Sequence, residues 1–298
     1  MLRTDRILKE DRLCKALTGM SVQEFNLLLP LFSHTLMLYR YERKDRKRAV
    51  GGGRKGDLPT PEKKLLFILM YLKVYPTYDV MGILTDRLRS RCCESVKQLL
   101  PLLEKTLGRS CVLPARKISS VEEFTHMFAG VADIFIDGSE RRIQRPKNQK
   151  KQQKLYSGKK KAHTRKTVIV SDKNKNILLM TPTKSGRRHD KRICDKFHLP
   201  NIIPKSVTIW ADTGFQGITD VHPKVMMPAK ASKNKSLTKA QKENNKTISS
   251  IRVVVEHAIG GYKRFKAASD IYRNKSVNLD DRFNIVAAGL WNFHLQQG

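Results

Sequence analysis

Three carboxylates stand where their neighbours could give them chemistry: Asp137 in "FIDGSE", Asp212 in "IWADTGFQG", and Glu256 in "IRVVVEHAIGGYKRFK". Each Asp closes an apolar, β-branched run, and Glu256 interrupts one that has helical spacing. At about 100° per residue, Arg252 and Lys263 share the narrow face of Glu256, four residues before it and seven after. Each position also has a local explanation. Asp-Gly between apolar runs is a hairpin signal, an Asp leaving a strand forms an Asx-turn, and a charged helix face can simply be solvated. Together they suggest more: two strands delivering Asp to one end of a sheet, plus a helix presenting Glu, would gather hard oxygen ligands for Mg²⁺, or Mn²⁺ in its place. Two ions about 3.5–4 Å apart would activate a water or 3′-hydroxyl and stabilise the leaving oxygen at a phosphodiester. Arg252 and Lys263 would then hold the nucleic-acid phosphates.

The elements needed to position these acids are readable. "VADIFIDG" (131–138), "KTVIVSD" (166–172), "NILLMTP" (176–182) and "SVTIWAD" (206–212) are short apolar runs bounded by turn residues, which predicts strands of one sheet. "GRRHDKRICDKFH" allows a helix, with Asp190 placed to cap it. Antiparallel strands, a helix, a strand and a final helix predict an α+β domain over 119–298. Residues 146–166, rich in Lys and including Lys159, Lys160 and Lys161, and residues 230–246 are expected to be basic loops that line a phosphate channel.

Upstream, Ser21-Val22-Gln23-Glu24 has the capping-box form and opens a helical segment within residues 1–42. Residues 43–57, "RKDRKRAVGGGRKGD", have no apolar period and predict a basic Gly-rich linker. Thr60-Pro61 is a cap followed by proline at the first helical position, leading to a helix ending near Tyr75. A second helix is expected over Tyr78–Leu84 and a third over about Arg87–Leu100, with Arg87, Arg89 and Arg91 at its start. Three short helices with a basic third one predict a helix-turn-helix over 58–118, presenting those arginines to the major groove.

Composition narrows the partner. Lys and Arg total 59 against 27 Asp and Glu, a formal charge of +32, and such a surplus repels itself unless a polyanion is bound. The longest apolar run, Leu65 to Leu72, is far short of a membrane span, and no signal peptide opens the chain, so a membrane role is not expected. The five cysteines have neither C-x-x-C spacing nor a nearby histidine at zinc-finger spacing, which predicts reduced thiols in the cytoplasm, here in association with the nucleoid.

The acids in "FIDGSE", "ADTGFQG" and "RVVVEHAIGGYKRFK" resemble the three of the DDE transposases, specifically the insertion-sequence-five family and its relatives. "TPEKKLLFILMYLKVYPTYDVMGILT" resembles that family's DNA-binding helices, and "YSGKKKAHTRKTVIVSD" and "SGRRHD" resemble its catalytic segments. The resemblance implies an RNase H-like catalytic fold with Asp137, Asp212 and Glu256 as catalytic metal ligands. It also implies double-stranded DNA as partner (terminal inverted repeats and a target), strand transfer, and a homodimer in the synaptic complex. The family's last block has a Tyr where this chain has Ser249, which removes a possible DNA contact and leaves the acids untouched.

Two other readings remain. Asp-Thr-Gly after an apolar strand is the aspartic protease signature, but that chemistry needs two such acids sharing a proton. This chain has one, so a homodimer would be required. A transposase-derived DNA-binding protein that no longer cleaves is the second, although a binding role would not require all three acids.

Overall fold

The computed structural model describes residues 4–42, 56–231, 236–274, 276 and 278–297. Most of the expected linker, 43–55, lies outside the described residues, as do 232–235 of the second expected loop. The chain divides into two compact units: Met1–Leu113 with Tyr262–Asp270 and Arg282–Gly298, and Pro114–Gly261 with Ile271–Asp281. The division after Leu113 falls near the expected boundary at 118. Residues 262–270 and 282–298, expected in the catalytic part, cluster with the first unit.

Among the described residues, the first unit opens with six helices: α1 (Thr4–Ile7), α2 (Asp11–Thr18), α3 (Val22–Glu42), α4 (Pro61–Val74), α5 (Tyr78–Thr85) and α6 (Arg89–Arg109). Their starts follow local chemistry. The Ser21 N–H donates to Glu24 Oε2 at 2.5 Å, and the Glu24 N–H donates to Ser21 Oγ at 3.1 Å. That reciprocal pair satisfies two otherwise orphaned donors. Thr60 caps α4 through the Lys63 N–H, with Pro61 in its first turn. All eight residues of Leu65–Leu72 are buried, so the run that is too short for a bilayer forms the central helix of this unit. No helix among the described residues is long and apolar enough to cross a membrane.

Helix α6 corrects the expected end near Leu100, because it runs through Pro101 to Arg109. An interior proline costs about 3 kcal/mol. Burial of Leu102, Leu103 and Leu107 beyond it offsets that at about 1.5–3 kcal/mol each.

The second unit carries α7 (Val121–Met127), β1 (Asp133–Arg142), α8 (Gln149–Leu155), β2 (Tyr156–Ser157), β3 (Ala162–Asp172), β4 (Ile177–Met180), β5 (Lys184–Ser185), α9 (Asp190–Lys196), α10 (Leu199–Ile202), β6 (Thr208–Ala211), β7 (Val225–Met226) and α11 (Lys239–Lys263). Two further helices, α12 (Lys266–Ser269) and α13 (Leu279–Gln297), close the chain. The sheet runs β2-β3-β1-β6-β7, with β4 and β5 also paired to β3. β1 is antiparallel to β3 and parallel to β6, and β6 is parallel to β7. This is a mixed α+β architecture. Ile134, Ile136, Val168, Val170, Ile209 and Ala211 share a core with Phe124 of α7, Ile193 and Cys194 of α9, and Leu199 and Ile202 of α10. Those three helices therefore cover one sheet face.

Both expected basic loops contain helix. Within 146–166, the Asn148 side chain accepts the Lys151 N–H and starts α8. Within 230–246, Thr238 and Gln241 form a second reciprocal box, with N–H to side-chain oxygen distances of 3.0 and 3.2 Å, and α11 begins at Lys239. The expected cap at Asp190 is also corrected. His189 occupies the N-cap without a side-chain bond to the helix, and Asp190 is the first helical residue, with its carboxylate engaged elsewhere.

Candidate active site

Asp137 does not end its strand. β1 continues through Asp137-Gly138 to Arg142 because β3 pairs with it over the whole length, Asp137 opposite Ile169 and Gly138 opposite Val168. The hairpin reading of Asp-Gly is thus overturned by nine rungs of ladder, which outweigh a two-residue turn preference.

Register then brings two acids together. β1 and β6 run parallel with Ile136 opposite Ala211, on strands about 4.8 Å apart, so the next residues are Asp137, still within β1, and Asp212, immediately past the end of β6. Side chains alternate between faces. Ile134, Ile136, Ile209 and Ala211 face the helix-covered core, so Asp137 and Asp212 fall on the opposite face with Phe135 and Trp210. Those two rings stack with centroids 6.2 Å apart, and Trp210 Nε1 donates to Asp133 Oδ1 at 2.8 Å.

Each acid is fixed by the residue after it. The Gly138 N–H donates to Asp137 Oδ1 at 2.7 Å. The Thr213 N–H donates to Asp212 Oδ1 at 2.6 Å, so Asp212 also makes the local turn expected of it, capping a 3₁₀ turn over Thr213–Phe215. Burial pushes the Asp137 carboxyl above its usual range. The Gly138 N–H and the Arg252 guanidinium oppose that shift, and the negative charges of Asp212 and Asp190 add to it.

Behind the acids lies a buried ion cluster that the sequence did not announce. Lys166 Nζ sits 3.0 Å from Glu140 Oε1 and 3.1 Å from Asp190 Oδ1, with side-chain exposures of 6%, 6% and 15%. It also donates to the Arg188 carbonyl at 3.2 Å. Glu140 and Lys166 are cross-strand partners on β1 and β3, and Glu140 accepts from Thr164 Oγ1 at 2.8 Å. Burial opposes the Lys166 charge, but Asp190 and Glu140 outweigh it and hold its ammonium above the usual lysine range. Asp190 packs where Gly138 has no side chain: a Cβ there would stand 2.4 Å from Asp190 Oδ1, and one on Gly214 would stand 3.4 Å from Oδ2. Asp190 therefore rests against the backbone just after both acids. In sequence, Asp190 was marked only as an expected helix cap and by its place in "SGRRHD".

The third acid and its basic neighbours part company. Glu256 is exposed on α11, whereas Arg252, four residues earlier, is buried with Nη1 4.0 Å from Asp212 Oδ1. Expected to hold phosphate, Arg252 instead faces the acid pair. Lys263 is half-buried at the end of α11, in the segment Tyr262–Asp270 that clusters with the first unit. Among the described residues, no group of three or more Asp, Glu, His or Cys side chains is arranged to hold a metal ion. The pair alone fits a divalent cation: adjacent carboxylates are hard oxygen donors, and Asp137 carries a desolvated charge that a cation would stabilise.

The remaining basic candidates divide by exposure. Lys159, Lys160 and Lys161 are exposed in the turn between β2 and β3. Arg89 and Arg91 are exposed at the start of α6, near Asp79 and Glu94 respectively. Arg87 precedes the helix and turns inward, its side chain 7% exposed, bonded to Asp57 and Ser95 and lying over the Phe67 ring.

Comparison with known proteins points the same way. Residues 136–292 match the family described as DDE superfamily endonuclease. Over 282 residues, 94% of each chain, the sequence is 30% identical to a probable transposase for insertion sequence element IS702 from Microchaete diplosiphon. No solved structure matches.

Proposed function

Because this chain belongs to the DDE superfamily endonucleases and is a transposase of that type, we propose that it binds the terminal inverted repeats of its own insertion sequence, nicks them with Mg²⁺ and transfers the strand to target DNA. We assign it to the insertion-sequence-five group on its sequence motifs. The observation that carries the reading is the parallel register Ile136↔Ala211, which sets Asp137 beside Asp212.

In this reading Asp137 and Asp212 hold the metal, and Glu256 completes the set from α11. The bound ion, Mg²⁺ or Mn²⁺ and most simply a pair, supplies Lewis-acid activation of water or a 3′-hydroxyl and stabilises the leaving oxygen. The chain's own residues do the positioning. The Gly138 and Thr213 N–H groups fix one oxygen of each acid and leave the other available. Arg252, with Nη1 4.0 Å from Asp212 Oδ1, brings a positive charge to the pair and opposes the upward shift of Asp137. The order of the strands, antiparallel around β1 and then parallel through β6 and β7, is that expected of an RNase H-like fold.

Helices α4, α5 and α6 form the proposed helix-turn-helix. Arg89 and Arg91 at the start of α6 would face DNA, with Lys159, Lys160, Lys161 and Lys263 contacting the backbone; Arg87 and Arg252 serve internally. A homodimer would bring two element ends together.

The test is cleavage of a labelled duplex carrying the element's terminal repeat, with Mg²⁺ or with EDTA. Wild type is expected to cut at the repeat boundary only with metal. Asp137→Asn, Asp212→Asn and Glu256→Gln should bind the duplex and not cut it. Tight binding by wild type with no cut under any divalent ion would replace this reading with a DNA-binding protein that has retired from mobility.

A further inference from the structure

One open cavity of about 490 Å³ in the second unit is lined by Lys150 and Lys154 of α8, Arg187 and Arg188 of the loop before α9, and His189 and Arg192 at the start of α9. The remaining lining side chains are Gln153 and Ser185, so the wall has no carboxylate and its one ring is the His189 imidazole. The volume is that of an ordinary ligand site, about 300–1,000 Å³. None of the five cations forms an ion pair with a carboxylate among the described residues, and all are exposed. Five like charges converging without a counter-charge repel one another, and an anion removes that cost.

The convergence is built into the backbone. The Gly186 N–H donates to the Thr164 carbonyl at 3.0 Å, and a Cβ on Gly186 would stand 1.8 Å from Thr164 Oγ1. Only glycine permits this approach, which presses the loop onto β3 and turns Arg187 and Arg188 outward. On the other wall, the Ser185 hydroxyl donates to the Lys154 carbonyl and ties the end of α8 to the same loop. His189 and Arg188 directly precede Asp190, which rests on Gly138 beside Asp137. The cavity therefore lies at the start of α9, the helix that covers the sheet face opposite the acid pair.

We propose that this cavity seats the phosphodiester backbone of DNA bound to the second unit. The inference rests on the reading of the protein as a transposase and adds a further DNA-holding surface, one that includes neither α4–α6 nor Lys159–Lys161. With five cations and a single imidazole, it grips phosphates rather than reading bases. It holds the strand, while the repeat is read elsewhere.

The experiment compares wild type with the quadruple variant Lys150→Ala, Lys154→Ala, Arg187→Ala, Arg192→Ala for binding to a terminal-repeat duplex and to a scrambled duplex across a salt series. The variant is expected to lose affinity for both duplexes by the same factor, about tenfold or more. The slope of log K against log salt should flatten by up to ~3.6, about 0.9 per phosphate contact. Lys150→Gln with Lys154→Gln, on a helix with no buried side chain, should give about half that change without risk to folding. An unchanged slope overturns the proposal, as does a loss confined to the repeat duplex. Wild type that neither binds nor cuts the repeat duplex with metal would refute the transposase reading itself. Wild type that cuts, beside a quadruple variant with an unchanged slope, would refute only the cavity.

Discussion

Replacing Lys166 with Met removes the one cation between two buried carboxylates while keeping most of the side-chain volume. Glu140 and Asp190, 3.0 and 3.1 Å from Nζ, would be left facing each other across the space between β1 and α9. Removing one partner of a buried pair costs about 3–5 kcal/mol, because the stranded charge keeps its desolvation penalty and loses its compensation. For a folding unit of this size the melting temperature should fall by about 6–20 °C, at roughly 2–4 °C per kcal/mol. The pH dependence is diagnostic. Lys166 is held above its usual range, so its contribution is complete below the ordinary lysine value and is lost as pH rises through the raised one. Burial opposes the Glu140 charge, but Thr164 and Lys166 outweigh it and hold Glu140 below its usual range. Its contribution is therefore present above the ordinary glutamate value and is lost as pH falls through the lowered one. The penalty of Lys166→Met should thus be full near pH 7.5 and shrink below about pH 5, where Glu140, left without its cation, takes up a proton. Urea unfolding at both pH values measures it. Adding Glu140→Gln and Asp190→Asn to Lys166→Met should recover at least half of the loss at pH 7.5. A penalty under about 1 kcal/mol, or one equal at both pH values, would refute the view that this cluster is a mutually dependent set of buried charges.

Two further outcomes follow from the same geometry. Asp137 sits above its usual range because it is buried beside Asp212 and Asp190. Its charge therefore weakens the metal-free fold at neutral pH, and that cost fades as pH falls through the raised value. Asp137→Asn should raise the metal-free melting temperature while abolishing cleavage, and an unchanged or lower melting temperature would remove the strain assigned to this acid. Gly138→Ala and Gly260→Ala should shift stability in opposite directions in denaturant titrations. At Gly138 the new methyl meets an Asp190 carboxylate tethered by Lys166, a cost of about 1–3 kcal/mol. At Gly260, inside α11 with nothing within 4 Å, alanine should add up to about 1 kcal/mol of helix stability.

What the sequence determined by itself was local. Ser21 with Glu24 and Thr60 with Pro61 marked helix starts because a cap satisfies donors within four residues of itself. The main strand runs were readable because β-branched residues bounded by turns need no distant information. The acids, the charge surplus and the family motifs were visible as residue types in order. Thr238 with Gln241 carried the same kind of signal and was hidden only by the lysines around it. Tertiary structure decided everything that depends on pairing across the chain. "FIDG" reads as a turn until β3 supplies a partner for Asp137 and Gly138. Asp137 and Asp212 are neighbours only through the parallel register of β1 with β6. Arg87 and Arg252 look like their exposed counterparts in sequence, and burial alone makes them internal. Lys166, Glu140 and Asp190, separated by up to 50 positions, form one cluster because cross-strand contact and the seat of α9 on Gly138 bring them together. The cost of burying a charge, unlike the preference for a cap, is set by atoms far away in sequence.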